Sequence, residues 1–204
     1  YANYFRRPGL SRQLMQFLFF ATSFSMFLSG FALFAERRFT YEGEPFGPRE
    51  IGYVFGYVGF LTIILQGGLI GRLVKRFGEP ALVAAGFVTL VIGYFVLGLA
   101  TSITSLLWMG LLASFGIGVI RPALTSLITQ QADRQEQGVV LGLTQSLTSL
   151  ASVVAPIVAG LLIGRGMLTE WAWVAAGLAA VGVALSRQGF SLRATRPIDP
   201  VAGS

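Results

Sequence analysis

The sequence contains no cysteine and no histidine. That removes disulfides, thiol nucleophiles, histidine-based triads and the usual nitrogen and sulfur metal ligands, so no metal and no cofactor is expected, and an enzyme is disfavoured. Charge is scarce as well: Asp, Glu, Lys and Arg make up 12% of the chain, against about 25% in soluble domains. Hydrophobic residues make up 54% and the mean hydropathy is +0.70. A soluble domain of 204 residues would struggle to cover its surface with so little charge. The net charge of +6 is basic, but no basic patch interleaved with aromatics sits on a soluble face, so no nucleic-acid partner is expected.

What the chain has in abundance is long apolar runs. Six are long enough to cross a hydrocarbon core of about 30 Å, or nearly so: Leu14–Phe34, Ile51–Leu73, Ala81–Ala100, Leu106–Ile128, Gly138–Ile163 and Trp171–Leu185. Helices are required, because backbone groups in lipid bond within their own segment, and a barrel would show ten-residue alternation instead. The expected fold is therefore all-α, a polytopic six-helix membrane bundle. It comprises a linker at 1–13, a bundle at 14–185 and a tail at 186–204, with the bundle falling into three-helix repeats at 14–100 and 106–185. Trp171 and Trp173 are expected in the interfacial aromatic belt.

Six spans put both ends on one side. The loops on that side hold Arg6, Arg7, Arg12, Arg72, Lys75, Arg76, Arg134, Arg187, Arg193 and Arg196; the opposite loops hold only Arg37, Arg38, Arg49 and Arg165. Positive charge accumulates on the cytoplasmic side, so both termini are expected there, in a lipid bilayer that the resemblance below makes a bacterial inner membrane. The first residue is Tyr1 and no signal-peptide pattern precedes the first apolar run, which suggests a piece of a longer chain.

Chemistry-bearing residues inside the spans are few. Gln16, Phe20, Ser23 and Phe27 share one helical face in the first span, a stripe suited either to an aromatic, drug-like ligand or to helix packing. Tyr53 and Tyr57 lie one turn apart in the second span, where Tyr57 is a cavity candidate and Tyr53 fits the belt equally. In the fifth span Gly138, Gly142, Gln145, Ser149, Ser152 and Pro156 recur at alternating spacings of three and four, with Ala151, Ala155 and Ala159 in a row beside them. Gly142, Ala155, Pro156 and Gly160 are expected to pack helices, while Gln145 and Ser149 are candidates to face a cavity. Arg121 is the one charge inside a span away from its ends, followed at once by Pro122, and the pair reads as a gate or an anchor. No carboxylate lies at mid-membrane.

One turn is distinctive: Gly71-Arg72-Leu73-Val74-Lys75-Arg76-Phe77-Gly78-Glu79 between the second and third spans. It resembles the signature loop of the major facilitator superfamily, matching at Gly71, Leu73, Arg76 and Gly78, with Lys75 in place of the acid and Glu79-Pro80 in place of the final basic pair. In this degenerate form it is similar to the second copy of that loop, between helices 8 and 9. The flanking Gly52-Tyr53-Val54-Phe55 and Gln66-Gly67-Gly68-Leu69 resemble helix 8. Gln137-Gly138-Val139-Val140-Leu141-Gly142, Ser146-Leu147 and Ala155-Pro156-Ile157-Val158-Ala159-Gly160 resemble helix 11 of the drug:proton antiporters that include the tetracycline exporters, with Ala155 where glycine often precedes the proline.

The resemblance implies helices 7 to 12 of a twelve-helix secondary transporter that moves a small organic molecule outward in exchange for protons by alternating access. It further implies a missing N-terminal six-helix partner that carries the proton site. Three rivals remain at this point: a self-contained six-helix protein acting as a homodimer, a structural or regulatory membrane subunit, and an integral-membrane enzyme.

Overall fold

The computed structural model describes Tyr4 and residues 6–194, with side chains described as far as Arg187. Six helices span it: α1 (Pro8–Arg38), α2 (Pro48–Phe77), α3 (Glu79–Leu99), α4 (Ile103–Gln130), α5 (Gln137–Gly164) and α6 (Leu168–Ala194). All six are long and apolar enough to cross a membrane. All six begin before the apolar runs that announce them, because polar residues at the ends cap the helix beyond the hydrocarbon. Pro8 and Pro48 occupy first-turn positions, where their missing N–H costs nothing. Glu50 accepts the Gly47 amide at 3.0 Å, and the Ser102 hydroxyl accepts the Ser105 amide at 3.3 Å. The segments expected as linker and tail are therefore partly helical, with α1 starting at Pro8 and α6 running to Ala194. Residues 195–204 lie outside the described residues.

Between α1 and α2 the chain forms a two-residue hairpin, β1 (Thr40–Tyr41) against β2 (Glu44–Pro45), turned by Glu42 and Gly43 at φ +53° and +88°. Paired positive φ values of this kind are the type I′ signature, which glycine tolerates at no cost. At the other end of the bundle a single residue, Gly78, separates α2 from α3; its φ of +77° lies where only glycine is comfortable. These two turns mark the hairpin end and the Gly78 end of the molecule.

α1, α3, α4 and α6 pack as a ring, α1 against α4 and α6, and α3 against α4 and α6. α5 attaches to α1, and α2 attaches to α4. Lipid tails are as apolar as leucine, so this packing draws on close van der Waals fit rather than on water exclusion. Gly182 is seated under Phe87, whose ring carbon lies 2.2 Å from where a β-carbon would stand. Gly116 is seated under Leu90 in the same manner. Trp171 is fully buried rather than placed in an interfacial belt: its indole lies over Gly30, stacks on Phe34 at 5.1 Å and donates to the Met26 carbonyl. Trp173 is 42% exposed and stacks on Phe95. Phe27, Phe31, Phe55 and Tyr94 form an aromatic knot with neighbouring centroids 5.1 to 6.3 Å apart.

Candidate functional site

The distinctive turn closes the Gly78 end. Arg72, Lys75 and Arg76 are exposed along the last turns of α2, where the helix C-terminus favours cations, and Arg76 lies over the Phe77 ring. Leu73 is half-buried against the core, and among the described residues nothing lies within 4 Å of a β-carbon placed on Gly71. Glu79 accepts hydrogen bonds from the Ser126 hydroxyl and the Gln130 amide, tying the start of α3 to the end of α4. At the same end Arg7 donates to Glu136 in a two-pronged ion pair at 2.8 and 3.1 Å. Through that hydrogen bond each holds the other charged, Arg7 above its ordinary value and Glu136 below. At the hairpin end Arg37 and Arg38 donate to carbonyls at the C-termini of α5 and α3, namely Ile163, Ala100 and Gly98. Sequence inspection counted these two arginines as loop charge without anticipating the capping role.

The stripe on α1 is spent on packing. Gln16 is buried, its amide donating to the Ser186 hydroxyl at 2.8 Å. Ser23 is wholly buried and donates to the Ala175 carbonyl at 2.9 Å. Phe20 stacks on Phe24, and Phe27 belongs to the aromatic knot. Only Gln16 borders a cavity, a space of about 490 Å³ at the Gly78 end shared with Arg12, Gln13 and Gln130. Tyr57 is half-buried beside Gly110 and lines a second cavity, about 610 Å³, at the hairpin end with Phe46, Arg49 and Glu50. Tyr53 points out of the bundle, under the Arg49 guanidinium.

The fifth helix divides by face as its spacing predicts. Val140, Leu143, Thr144, Ala151, Ala155, Ala159 and Ile163 are buried, and α5 packs on α1. Gly142, Gln145, Ser149, Ser152, Pro156 and Gly160 are exposed. Of the four residues expected to pack helices, Ala155 does so within the bundle; Gly142, Pro156 and Gly160 face outward, and nothing lies within 4 Å of a β-carbon on either glycine. Ser149 donates to the backbone carbonyl of Gln145, and the Gln145 side chain is exposed.

A feature that sequence inspection missed lies where α2 meets α4. Residues Leu65–Leu69 form one π-turn within α2, a local widening often found at functional sites. It carries Leu65 onto Gly118 and brings the Gln66 amide 3.3 Å from the Gly118 carbonyl. That carbonyl is the one Pro122 leaves without a helical donor, since proline has no N–H. Below this junction α2 and α4 part, and a groove of about 700 Å³ opens, lined by Gln66, Ile70, Arg121, Pro122, Thr125 and Thr129 among others. The adjacent glycines Gly67 and Gly68 were the available signal, since paired glycines inside a span weaken a regular helix.

Comparison with known proteins agrees with this architecture. The profile of the Major Facilitator Superfamily matches residues 10–200. Tetracycline resistance protein, class C, from Escherichia coli is 34% identical over 172 residues, covering 80% of this chain and 40% of that protein. Multidrug resistance protein 2 from Bacillus subtilis is 27% identical over 70% of this chain and 34% of its own length. Major facilitator superfamily domain-containing protein 10 from Homo sapiens is 29% identical over 76% and 31%. The chain thus spans two-fifths or less of the length of these relatives. Six apolar helices in a glycine-packed bundle and a family match over nearly its whole length establish that this integral membrane chain belongs to the Major Facilitator Superfamily of transporters.

Proposed function

We propose that the chain is the C-terminal half of a twelve-helix secondary transporter of a bacterial inner membrane, exporting a small drug-like molecule in exchange for protons. The observation that carries this reading is the uneven burial of the bundle. The most apolar stretches of α1, α3 and α4 are 50% buried, whereas those of α2 and α5 are 11% and 22% buried. Both flanking helices turn glycines outward, and α5 turns small polar residues outward as well, a surface suited to close approach by further helices. Helices 1 to 6 of the same protein would cover it, with substrate held at mid-depth between the halves and access alternating as one half rocks against the other. The names of the tetracycline and multidrug resistance relatives support outward movement of drug-like molecules.

The helix pairing supports two three-helix repeats. α1 with α5 mirrors α4 with α2, and α1 with α6 mirrors α4 with α3. The charge bias supports a cytoplasmic position for both termini. That bias is clearer still once Arg37 and Arg38 are set aside, since each already serves to cap a helix at the hairpin end. Among the described residues every acid is in a loop or near a helix end, so we assign the titrating group that proton exchange requires to the other half. Within this half Gln145, Ser149 and Tyr57 are the residues we assign to the substrate path; Phe20, Ser23 and Phe27 serve as its packed support. The same open faces also fit a second copy of this chain, which is the homodimer alternative.

Detection of the native polypeptide on a denaturing gel separates the two. A band near twice 21.9 kDa supports the half-transporter, and a band at that mass supports the homodimer. Transport is tested by drug efflux from vesicles under an imposed pH gradient: Gln145→Leu is expected to lose most efflux while retaining its yield and melting temperature. Unchanged efflux would make Gln145 a surface residue and remove it from the path.

A further inference from the structure

We propose that the groove between α2 and α4 is an anion-binding subsite on the substrate path, with Arg121 as its recognising cation, so that the molecule carried bears a carboxylate, phosphate or sulfonate. This rests on the transporter reading above and narrows its substrate class.

The depth of Arg121 comes first. It lies nine residues before the end of α4 at Gln130, about 13 Å of helix rise at 1.5 Å per residue. A guanidinium at that depth is costly unless an anion or a wet cavity receives it. Among the described residues it forms no hydrogen bond and no ion pair through its side chain; the one ion pair recorded is Arg7 with Glu136. Glu79, at the start of α3, is the acid bonded to this end of α4, and it is already engaged by Ser126 and Gln130. Five N–H donors therefore stand at the groove with no acceptor among the described residues.

Direction comes next. At about 100° per residue, Arg121 lies about 140° around α4 from Trp108, and about 140° in the other sense from Gly116. Trp108 is 62% exposed on the outside of the bundle, and Gly116 packs against Leu90 of α3. The remaining side is the one shared with α1 and α2, towards the gap that a second half would enclose.

The groove is also held open by construction. Gln66 caps the carbonyl that Pro122 releases, and Leu65 fills Gly118, so α2 is pinned to α4 immediately above Arg121. Beyond that pin the π-turn directs α2 away, and nothing lies within 4 Å of a β-carbon on Gly67, Gly68 or Gly71. The groove, about 700 Å³, is shallow and open on one side, so a second half would have to close it over a ligand. Arginine is the side chain whose planar fork matches a carboxylate or phosphate two-pronged, which favours an oxyanion over a halide or a neutral ligand.

The test uses the full-length transporter containing this chain in proteoliposomes, with carboxyfluorescein as an anionic probe and ethidium as a cationic one. Gln and Lys variants at position 121 are compared with the wild type, and size-exclusion profiles establish folding. The expected result is that Arg121→Gln lowers the ratio of carboxyfluorescein to ethidium efflux roughly tenfold or more, with Arg121→Lys between, because lysine keeps the charge and loses the fork. Ethidium efflux with no carboxyfluorescein efflux by the wild type overturns the subsite and leaves the transporter reading standing. Equal loss of both probes in Arg121→Gln overturns it too, since the arginine then acts on the gate or pairs with a carboxylate of the other half. Dependence of the ratio on phosphatidylglycerol content, in place of dependence on the variant, assigns the arginine to a lipid headgroup and overturns the substrate role. If neither probe moves, the transporter reading fails for these molecules; fluorescence anisotropy of carboxyfluorescein with the purified protein then decides the subsite alone, where equal affinity of wild type and Arg121→Gln overturns it.

Discussion

The ring of α1, α3, α4 and α6 and the two flanking helices α2 and α5 are built from the same residue types and put them to opposite uses. In the ring, most glycines are seats, as Gly30 under Trp171, Gly182 under Phe87 and Gly86 under Ile120, with Gly177 of α6 the exception that has nothing within 4 Å. On the flanks, Gly52, Gly56, Gly59, Gly142 and Gly160 have nothing within 4 Å of the position of a β-carbon. A glycine in a transmembrane helix costs helix propensity in either place. Only in the ring does a partner within this chain compensate for that cost, so the flanking glycines point to a partner elsewhere.

That contrast is most sharply tested by one substitution made in both regions of the full-length protein. Gly182→Ala places a methyl group where the Phe87 ring lies 2.2 Å away, and overpacking of this kind costs about 1–3 kcal/mol. A clear drop in melting temperature and in folded yield is expected. Gly142→Ala meets nothing within 4 Å and gains up to about 1 kcal/mol of helix propensity, so its melting temperature should hold or rise slightly. If Gly142→Ala destabilises as much as Gly182→Ala, the flank is packed in the intact protein, and the face that receives the second half has been located.

Gln66→Leu comes next in size and probes the junction between the regions. It leaves the Gly118 carbonyl without its donor at 3.3 Å, which in a membrane interior costs about 0.6–2 kcal/mol. The expected signature is a modest fall in melting temperature together with faster hydrogen exchange along α2, since α4 is the only helix against which α2 packs extensively. Unchanged exchange in α2 would show that Leu65 on Gly118 holds the junction without the amide.

The same contrast explains which parts of the molecule were legible in its sequence. The six spans were, because hydrocarbon thickness imposes a run length that composition exposes directly. Their ends were less so, since Pro8, Pro48 and Ser102 extend helices through residues that hydropathy does not count. The α5 faces were legible only in part: Ala151, Ala155 and Ala159 are buried and Gln145 and Ser149 are exposed, but Gly142, Pro156 and Gly160, expected to pack helices, face outward. The α1 stripe was not, because a polar stripe meets a cavity or a neighbouring helix with the same periodicity. Only the placement of Ser186 and Ala175 on α6 reveals that Gln16 and Ser23 are consumed by packing. Trp171 misled for a related reason: a tryptophan near a span end is ordinarily interfacial, and nothing local discloses that Gly30 on another helix offers it a seat.

The smallest expected effect concerns how the ends of the chain are held to the bundle. Arg7 and Glu136 join the start of α1 to the turn between α4 and α5, with side chains 50% and 26% exposed. Pairs this accessible contribute little and are screened by salt. The sign of their pH dependence still follows from the directions of the shifts. Glu136 is held below the ordinary 4.5 by its hydrogen bond from Arg7, so its contribution is complete above that value and disappears as the pH falls through the lowered one. Arg7 is held above its ordinary value by its hydrogen bond to Glu136, so its share stays constant over the accessible range. A small loss of melting temperature on acidification is therefore expected from this pair, and Glu136→Gln should remove that component alone. Equal acid sensitivity in wild type and Glu136→Gln would move the titrating group elsewhere. Since no acid of this half lies at mid-membrane, a large remaining dependence would direct attention to the other half, where the proton-binding group is proposed.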